Sequence, residues 1–333
     1  MHKNNLHNMS KTILLIIVLG LISCYKNNSL DYNGLEKINI ILENSEKREI
    51  DNYVKKSLNH KIISEKFKKW VKATIQTDSL NPSKSQIRLK GDWTDHLKNG
   101  KPSYRIKIKN KFWKRTKSFS LQKPKTRDYL NEYLFHKMLQ QEDVLSTRYD
   151  FVELLLNGES QGLYAYEEHF EKQLVEYNKR REGPIIRFNE NRLWHIREKY
   201  PDFEKKAPVF HTNTIEAFKS NKTLKSPRLK EQFLSAQNLL YSFQFGQSKA
   251  SDVFDIESMA KCIALIDLNK AFHSLIWHNM RFYFNPITQK LEPICFDGYT
   301  SDGPLDWINA PFTGYHKIFD QSYNSPQDKL IKA

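Results

Sequence analysis

Alternation of apolar and polar positions dominates the first half of the chain. Lys37 to Leu42 and Val71 to Gln76 alternate with period two and read as strands, and the turn residues Asp78, Asn81, Pro82 and Ser83 lead into a short strand at Gln86 to Lys90. Ser103 to Lys109 (SYRIKIK) alternates, Asn110 to Lys117 is a polar turn, and Ser118 to Gln122 alternates again, which predicts a hairpin. Pro124 stops that second strand. Thr126 or Asp128 then caps a predicted helix with Tyr129, Leu130, Tyr133, Leu134 and Met138 at helical spacing. Tyr149 to Leu156, the turn Asn157-Gly158 and Gly162 to Tyr166 form a second predicted hairpin, and Glu167 to Lys179 reads as a helix. Polar segments lie between Asn191 and Pro227. Asp255 is placed to cap a buried helix, Ile256 to Phe272, and two strands follow, Met280 to Asn285 and Leu291 to Phe296, with Asp297-Gly298 directly after. The order of elements predicts an α+β fold, mainly antiparallel sheet with packed helices, over residues 37–333.

The N-terminus carries a different pattern. Lys3 and Lys11 precede Thr12 to Ile22 (TILLIIVLGLI), too short for a stable span but suited to a signal-peptide core. The run ends in Leu21, Ile22, Ser23 and Cys24, which resembles the bacterial lipoprotein signal: residues 1–23 would be removed and Cys24 would carry the lipid. Residues 24–36, polar and without periodicity, read as a lipidated tether. The expectation is a cell-envelope lipoprotein facing the periplasm or the exterior, held to the membrane by its acyl chains.

Composition adds a basic surplus and removes several classes. The 333 residues are 39% hydrophobic, enough for a packed core, and the formal charge is +15. From Lys98 to Arg127 there are twelve Lys or Arg and no Asp or Glu, so most of the surplus belongs to one hairpin and its flanks. That stretch predicts phosphates, an anionic membrane surface or an acidic protein as its partner; an exported location and the lack of a recognition module argue against nucleic acid. Cys262 and Cys295 read as small core residues, and export admits a disulfide between them. Trp113, in the basic turn, reads as a tryptophan exposed enough to meet a partner. No GxxxxGK[ST], GxGxxG, HExxH or GxSxG pattern occurs.

The candidate chemistry lies near the C-terminal end: His273, Ser274, His278, Asn279, Glu292 and Asp297. Asn279 and Asp297 offer an amide oxygen and a carboxylate, hard ligands suited to Mg²⁺ against phosphate oxygens. Set against the HRDxxxxN loop and DFG motif of protein kinases, Asn279 and Asp297 fall at the metal-binding positions, and Ser274, beside His273, stands where the proton-accepting Asp would be. A buried Asn and an Asp capping a turn are also common structural devices.

Several blocks resemble the CotH kinase family of atypical kinases: IRLKGDWTDHL (Ile87 to Leu97), KPSYRIKIK (Lys101 to Lys109), FSLQKPKTR (Phe119 to Arg127), RYDFVELLLNG (Arg148 to Gly158), GLYAYEEHFEK (Gly162 to Lys172), REGPIIRF (Arg181 to Phe188) and LEPICFDG (Leu291 to Gly298). The resemblance implies a remote protein-kinase-like fold, ATP and Mg²⁺ as cofactors, and phosphoryl transfer to a protein. It assigns the metal to Asn279 and Asp297 and puts catalysis at His273 and Ser274, where the family's Asp is absent. His273 reads either as a replacement base or as a structural histidine. Phosphate binding falls to Lys90, Lys107, Lys109 or Lys123, with Glu132 or Glu168 pairing one of them; the alternative is a solvated basic face. Gly91 would let backbone approach a phosphate. ATP is scarce outside the cytoplasm, so a catalytically inactive envelope protein that binds an acidic polymer or partner is the second reading. The chain ends soon after Asp297, where a kinase-like domain ordinarily continues, so its C-terminal part is expected to be reduced.

Overall fold

The period-two segments of the first half close on themselves into a ring. In the computed structural model, which describes residue 32, residues 34–200 and residues 213–298, β1 (Lys37–Ile41) is followed by α1 (Asn44–His60), and then by β2 (Val71–Thr77), β3 (Leu80–Leu89), β4 (Tyr104–Ile108) and β5 (Ser118–Gln122) as antiparallel neighbours. After α2 (Asn131–Gln141), β6 (Tyr149–Leu156) and β7 (Glu159–Glu168) form a hairpin; β7 pairs with β5, and β6 pairs in parallel with β1. The result is a closed seven-stranded barrel in the order β1-β2-β3-β4-β5-β7-β6. Alternate residues such as Ile38, Ile75, Ile87, Ile106, Phe119, Tyr166 and Val152 fill its interior.

The chain continues through α3 (Lys172–Tyr177), β8 (Ile185–Phe188), α4 (Asn191–Lys199), β9 (Ile215–Ala217), α5 (Ser220–Lys225), α6 (Pro227–Gln244), α7 (Ala250–Val253), α8 (Ile256–Leu268), β10 (Arg281–Asn285) and β11 (Lys290–Pro293). The last strands make an antiparallel sheet in the order β11-β10-β8-β9, against which α6 lays Phe233, Ala236, Leu240 and Phe243. The expected α+β class and mainly antiparallel pairing hold; barrel closure was not in the pattern.

The second predicted hairpin and the Asp255 cap, whose carboxylate accepts from the Ser258 N–H at 2.9 Å, are present. Several expectations need correction. β3 begins at Leu80 and contains Pro82, tolerated because its pairing with β2 shifts register between Ile75 and Thr77. After Pro124 a single 3₁₀ turn ends at Asp128 and Tyr129, both left-handed, so α2 starts later with its phase rotated. Its buried face carries Glu132, Phe135, His136 and Leu139, while Tyr129, Leu130 and Leu134 are exposed. β7 runs on to Glu168, paired with Phe119, so the helix expected from Glu167 shrinks to α3. α8 stops at Leu268, and α1 and α6 were not anticipated.

Trp113 is buried: its ring packs on Phe119 and Tyr166, and its indole N–H donates to Glu36 at 2.5 Å. Cys262 of α8 and Cys295 are buried as expected and are also joined by a disulfide. The hydrophobic run at 12–22, Cys24 and the chain beyond Gly298 lie outside the described residues, and among those described no helix is long and apolar enough to cross a membrane.

Candidate functional site

Sheet register builds one wall of the site. Across the barrel, Arg88 faces Arg105, Arg105 faces Ser120, Ser120 faces Glu167, and Glu167 faces Tyr149. Their neighbours in sequence, Ile87, Ile106, Phe119 and Tyr166, point inward, so this polar row lies on the outer face. An outer row would ordinarily be solvated, yet Ser120, Glu167 and Tyr149 are buried. Two arginines directly opposite each other repel, and Glu167 compensates only in part. Burial pushes Arg105 down to about 10, and its Nε and Nη1 have no hydrogen-bond partner.

Lys90, just beyond β3, joins this row. Its ammonium donates to Glu167 at 2.9 and 3.0 Å and to Gln122 at 2.7 Å, and Gln122 donates to Glu167 at 2.9 Å. Lys90, Arg127 and Arg105 together outweigh burial and hold the Glu167 carboxyl below its usual range. Lys90 itself is pushed down to about 8, chiefly by burial, with Glu167 opposing and the two arginines reinforcing. The unfolded chain, with Lys near 10.4, therefore holds this proton more tightly. Stability should rise relative to a Lys90→Met variant as pH increases from about 8 towards 10.4. Denaturant midpoints at both ends of that window, for both proteins, check the sign.

The second wall centres on Asp297, left-handed at φ 60° and buried. Its backbone N–H donates to Glu132 at 2.8 Å, and Glu132 pairs with His136 at 2.9 Å. Arg127 Nε lies 2.7 Å from Oδ1, and His273 Nδ1 lies 2.9 Å from Oδ2. Burial alone would raise the Asp297 carboxyl, but the Arg127 guanidinium and the His273 ring beside it hold it far below the carboxylate range. The Asn279 amide donates to the His273 carbonyl at 3.0 Å and lies 3.1 Å from Nδ1. The Asp297 carboxylate can only accept, so its 2.9 Å contact calls for a proton on His273 Nδ1.

Ser274 and Asn279 are both buried, and the Ser274 hydroxyl donates to the Phe296 carbonyl at 2.6 Å, tying the 3₁₀ turn Phe272–Leu275 to the Asp297 turn. His273, Asn279 and Asp297 thus meet as the sequence spacing suggested. Of the four lysines, Lys90 alone reaches the acidic centre. Lys107 lies over the Trp70 ring at 4.7 Å, Lys109 is exposed, and Lys123 donates to the Lys98 carbonyl. Lys90 is paired by Glu167; Glu168, one residue on and turned to the other side of β7, takes Arg148 at 2.5 Å, and Glu132 takes His136. Gly91 has φ 93°, but a Cβ there would come within 2.0 Å of the His96 ring, so the space is filled by an imidazole. Arg127, Glu167, Gln122 and Arg105 escaped the sequence reading, although Arg105 shares the strand face on which Lys107 was noticed.

The oxygens gathered here are of the kind a hard cation takes. Asp297 Oδ1 is buried and lacks a well-formed hydrogen bond despite the nearby Arg127, and the Asn279 amide is its neighbour through His273. No cluster of three or more His, Cys, Asp or Glu able to hold a metal occurs among the described residues. One carboxylate and one amide beside phosphate oxygens suit Mg²⁺, which keeps few protein ligands. Arg105, with unpartnered donors on the facing row, suits an anionic oxygen.

No curated protein matches the chain. The sequence model of the family described as CotH kinase protein matches residues 87–304, a span that holds Lys90, Arg105, Arg127, Glu167, His273, Asn279 and Asp297. The chain belongs to the CotH kinase protein family.

Proposed function

We propose that this chain is a lipid-tethered envelope kinase of remote protein-kinase-like fold, binding Mg-ATP and phosphorylating a protein. The observation that carries the reading is the convergence of Asp297, Asn279 and His273, with Arg127 bound to the same carboxylate and the Lys90–Glu167 pair close by. Bound Mg-ATP would supply the transferable phosphoryl group, with the metal neutralising its oxygens. Asp297 and Asn279 would hold the metal, and Lys90 and Arg105 the anionic oxygens. Asp297 orients the His273 ring so that Nε2 accepts the proton of a substrate hydroxyl. Positioning and charge carry most of the rate in such transfers, so a histidine base suffices. Cys24 provides the tether and residues 25–36 the reach from the membrane.

A second reading, nucleotide binding without turnover, is favoured by Ser274, whose hydroxyl is committed to the Phe296 carbonyl at the position of the missing acid. One titration separates the two. The purified protein should bind ATP only with Mg²⁺, and Asn279→Ala should weaken that binding about tenfold while leaving the fold intact. Metal-independent binding, or none, would sink the nucleotide reading. Binding without phosphate transfer to any protein acceptor selects the second reading, and transfer lost in His273→Gln but kept in Ser274→Ala identifies the base.

A further inference from the structure

A cavity of about 320 Å³ opens beside the barrel, on the segment joining β4 to β5 and on α2 and β6. Lys114, Arg115, Lys137 and Arg148 line it, with Tyr177 and a single acid, Asp150. Tyr149, whose ring stacks on His136, forms part of its wall, so the cavity is separate from the Asp297 centre but shares a side chain with its surroundings. Its size is at the lower end for ligand pockets, room for one or two side chains.

The tip of the β4–β5 connection is the clue to its use. Trp113 and Thr116 exchange backbone hydrogen bonds at 3.0 and 2.8 Å, which leaves a two-residue turn made of Lys114 and Arg115. Both are left-handed, at φ 46° and 58°. Such a turn ordinarily takes Asn-Gly, because side chains resist that conformation. Here two long cations are kept in it. Lys114 already pairs with Glu36 and Asp150, and Arg148 holds Glu168 in a two-pronged ion pair while lying over the Tyr177 ring at 4.4 Å. Arg115 and Lys137 are exposed and make no ion pair among the described residues. Arg148 with Glu168 shows how this lining receives a carboxylate, and the two unpaired cations offer the same chemistry to a carboxylate from outside.

We infer that this cavity is a docking site for an acidic peptide segment of a protein partner, with Arg115 and Lys137 taking its Asp or Glu side chains. A cavity of this size receives a protruding side chain, whereas a lipid surface would meet exposed lysines outside it such as Lys98 and Lys101. Docking here requires neither nucleotide nor metal, so its outcome is independent of the phosphoryl-transfer reading.

The test uses a fluorescently labelled peptide of alternating Glu and Ser, titrated into the full chain in detergent without ATP or Mg²⁺. Arg115→Glu and Lys137→Glu should each weaken binding tenfold or more. The same charge reversal at Lys98 or Lys101, in the same basic stretch but outside the cavity, should change it less than twofold. Equal losses at all four positions would mean attraction by net charge alone and would overturn the inference. So would binding to phosphatidylglycerol vesicles, with no peptide binding, through Arg115 and Lys137. Arg115→Gly supplies an opposite-sign check: relief of the left-handed turn should raise the melting temperature by about 1–3 °C while binding falls. A melting temperature that falls with binding would mean that Arg115 serves the fold, and would also overturn it.

Discussion

Asp297→Asn should cost about 3–5 kcal/mol of stability, because it leaves the Arg127 guanidinium buried without its counter-charge. The side chains are 12% and 5% exposed, so little solvent is at hand to replace the lost partner. Arg127→Met should cost a comparable amount for the mirror reason. The double variant should cost clearly less than the two singles combined, since neither charge is then stranded. Simple additivity in urea titrations would show that the pair contributes no coupling. The pH dependence has a definite sign. A carboxyl whose folded-state value is held far below its unfolded value of about 3.9 adds stability above that value. The contribution is lost on acidification, so wild type should lose more stability between about pH 5 and pH 2 than Asp297→Asn does.

Breaking the Cys262–Cys295 disulfide should cost about 2–4 kcal/mol, the range for a crosslink that closes a loop of this order, 33 residues in sequence separation. Its effect on the site should exceed that of an average crosslink. Cys295 stands two residues before Asp297; its N–H is held by the Leu145 carbonyl at 2.8 Å, and the disulfide ties it to α8. Without that tie the Asp297 turn keeps its bonds to Ser274, Glu132, Arg127 and His273 but loses its covalent link to α8. The Cys262→Ala/Cys295→Ala variant should therefore melt lower than wild type and, on the function proposed above, bind Mg-ATP more weakly. Thiol titration of the unfolded, unreduced protein is the direct check. Of three cysteines only Cys24 should react, and none if it carries lipid; reaction of all three would remove the crosslink.

What the sequence revealed follows from what is local. Period-two alternation found β4 and β5 nearly to the residue, because an apolar barrel interior imposes that period on a stave, and β6 was legible as a largely apolar run ended by the Asn157-Gly158 turn. It failed at α2, where the buried face includes Glu132 and His136, which satisfy each other and so break the apolar stripe. It missed α1, which turns only Ile50, Tyr53, Val54 and Ser57 towards the barrel from an otherwise polar helix. Asp297, Asn279 and His273 were legible because all three belong to one short region. Arg127 was not: it meets Asp297 from 170 positions away in the chain, and nothing in a basic stretch marks one arginine as the one that will be buried. The step from Glu168 to Glu167 is of the same kind, since only the register with Ser120 and Tyr149 decides which neighbour meets Lys90.

The parallel pairing of β1 with β6 has a kinetic meaning. Lys37 is matched with Glu153, and Leu42 is bonded to Asn157, so the first stave made, although one edge meets β2 early, completes its pairing last. Closing so long a loop before its contacts reward it puts the barrel among slow-folding topologies. Until β6 arrives, β1–β2–β3 and β4–β5 can pair from neighbouring sequence, but the ring stays open at the free edge of β1. A nascent chain would keep its ring open until β6 has emerged, and an early encounter between two such chains could join β1 of one to β6 of the other.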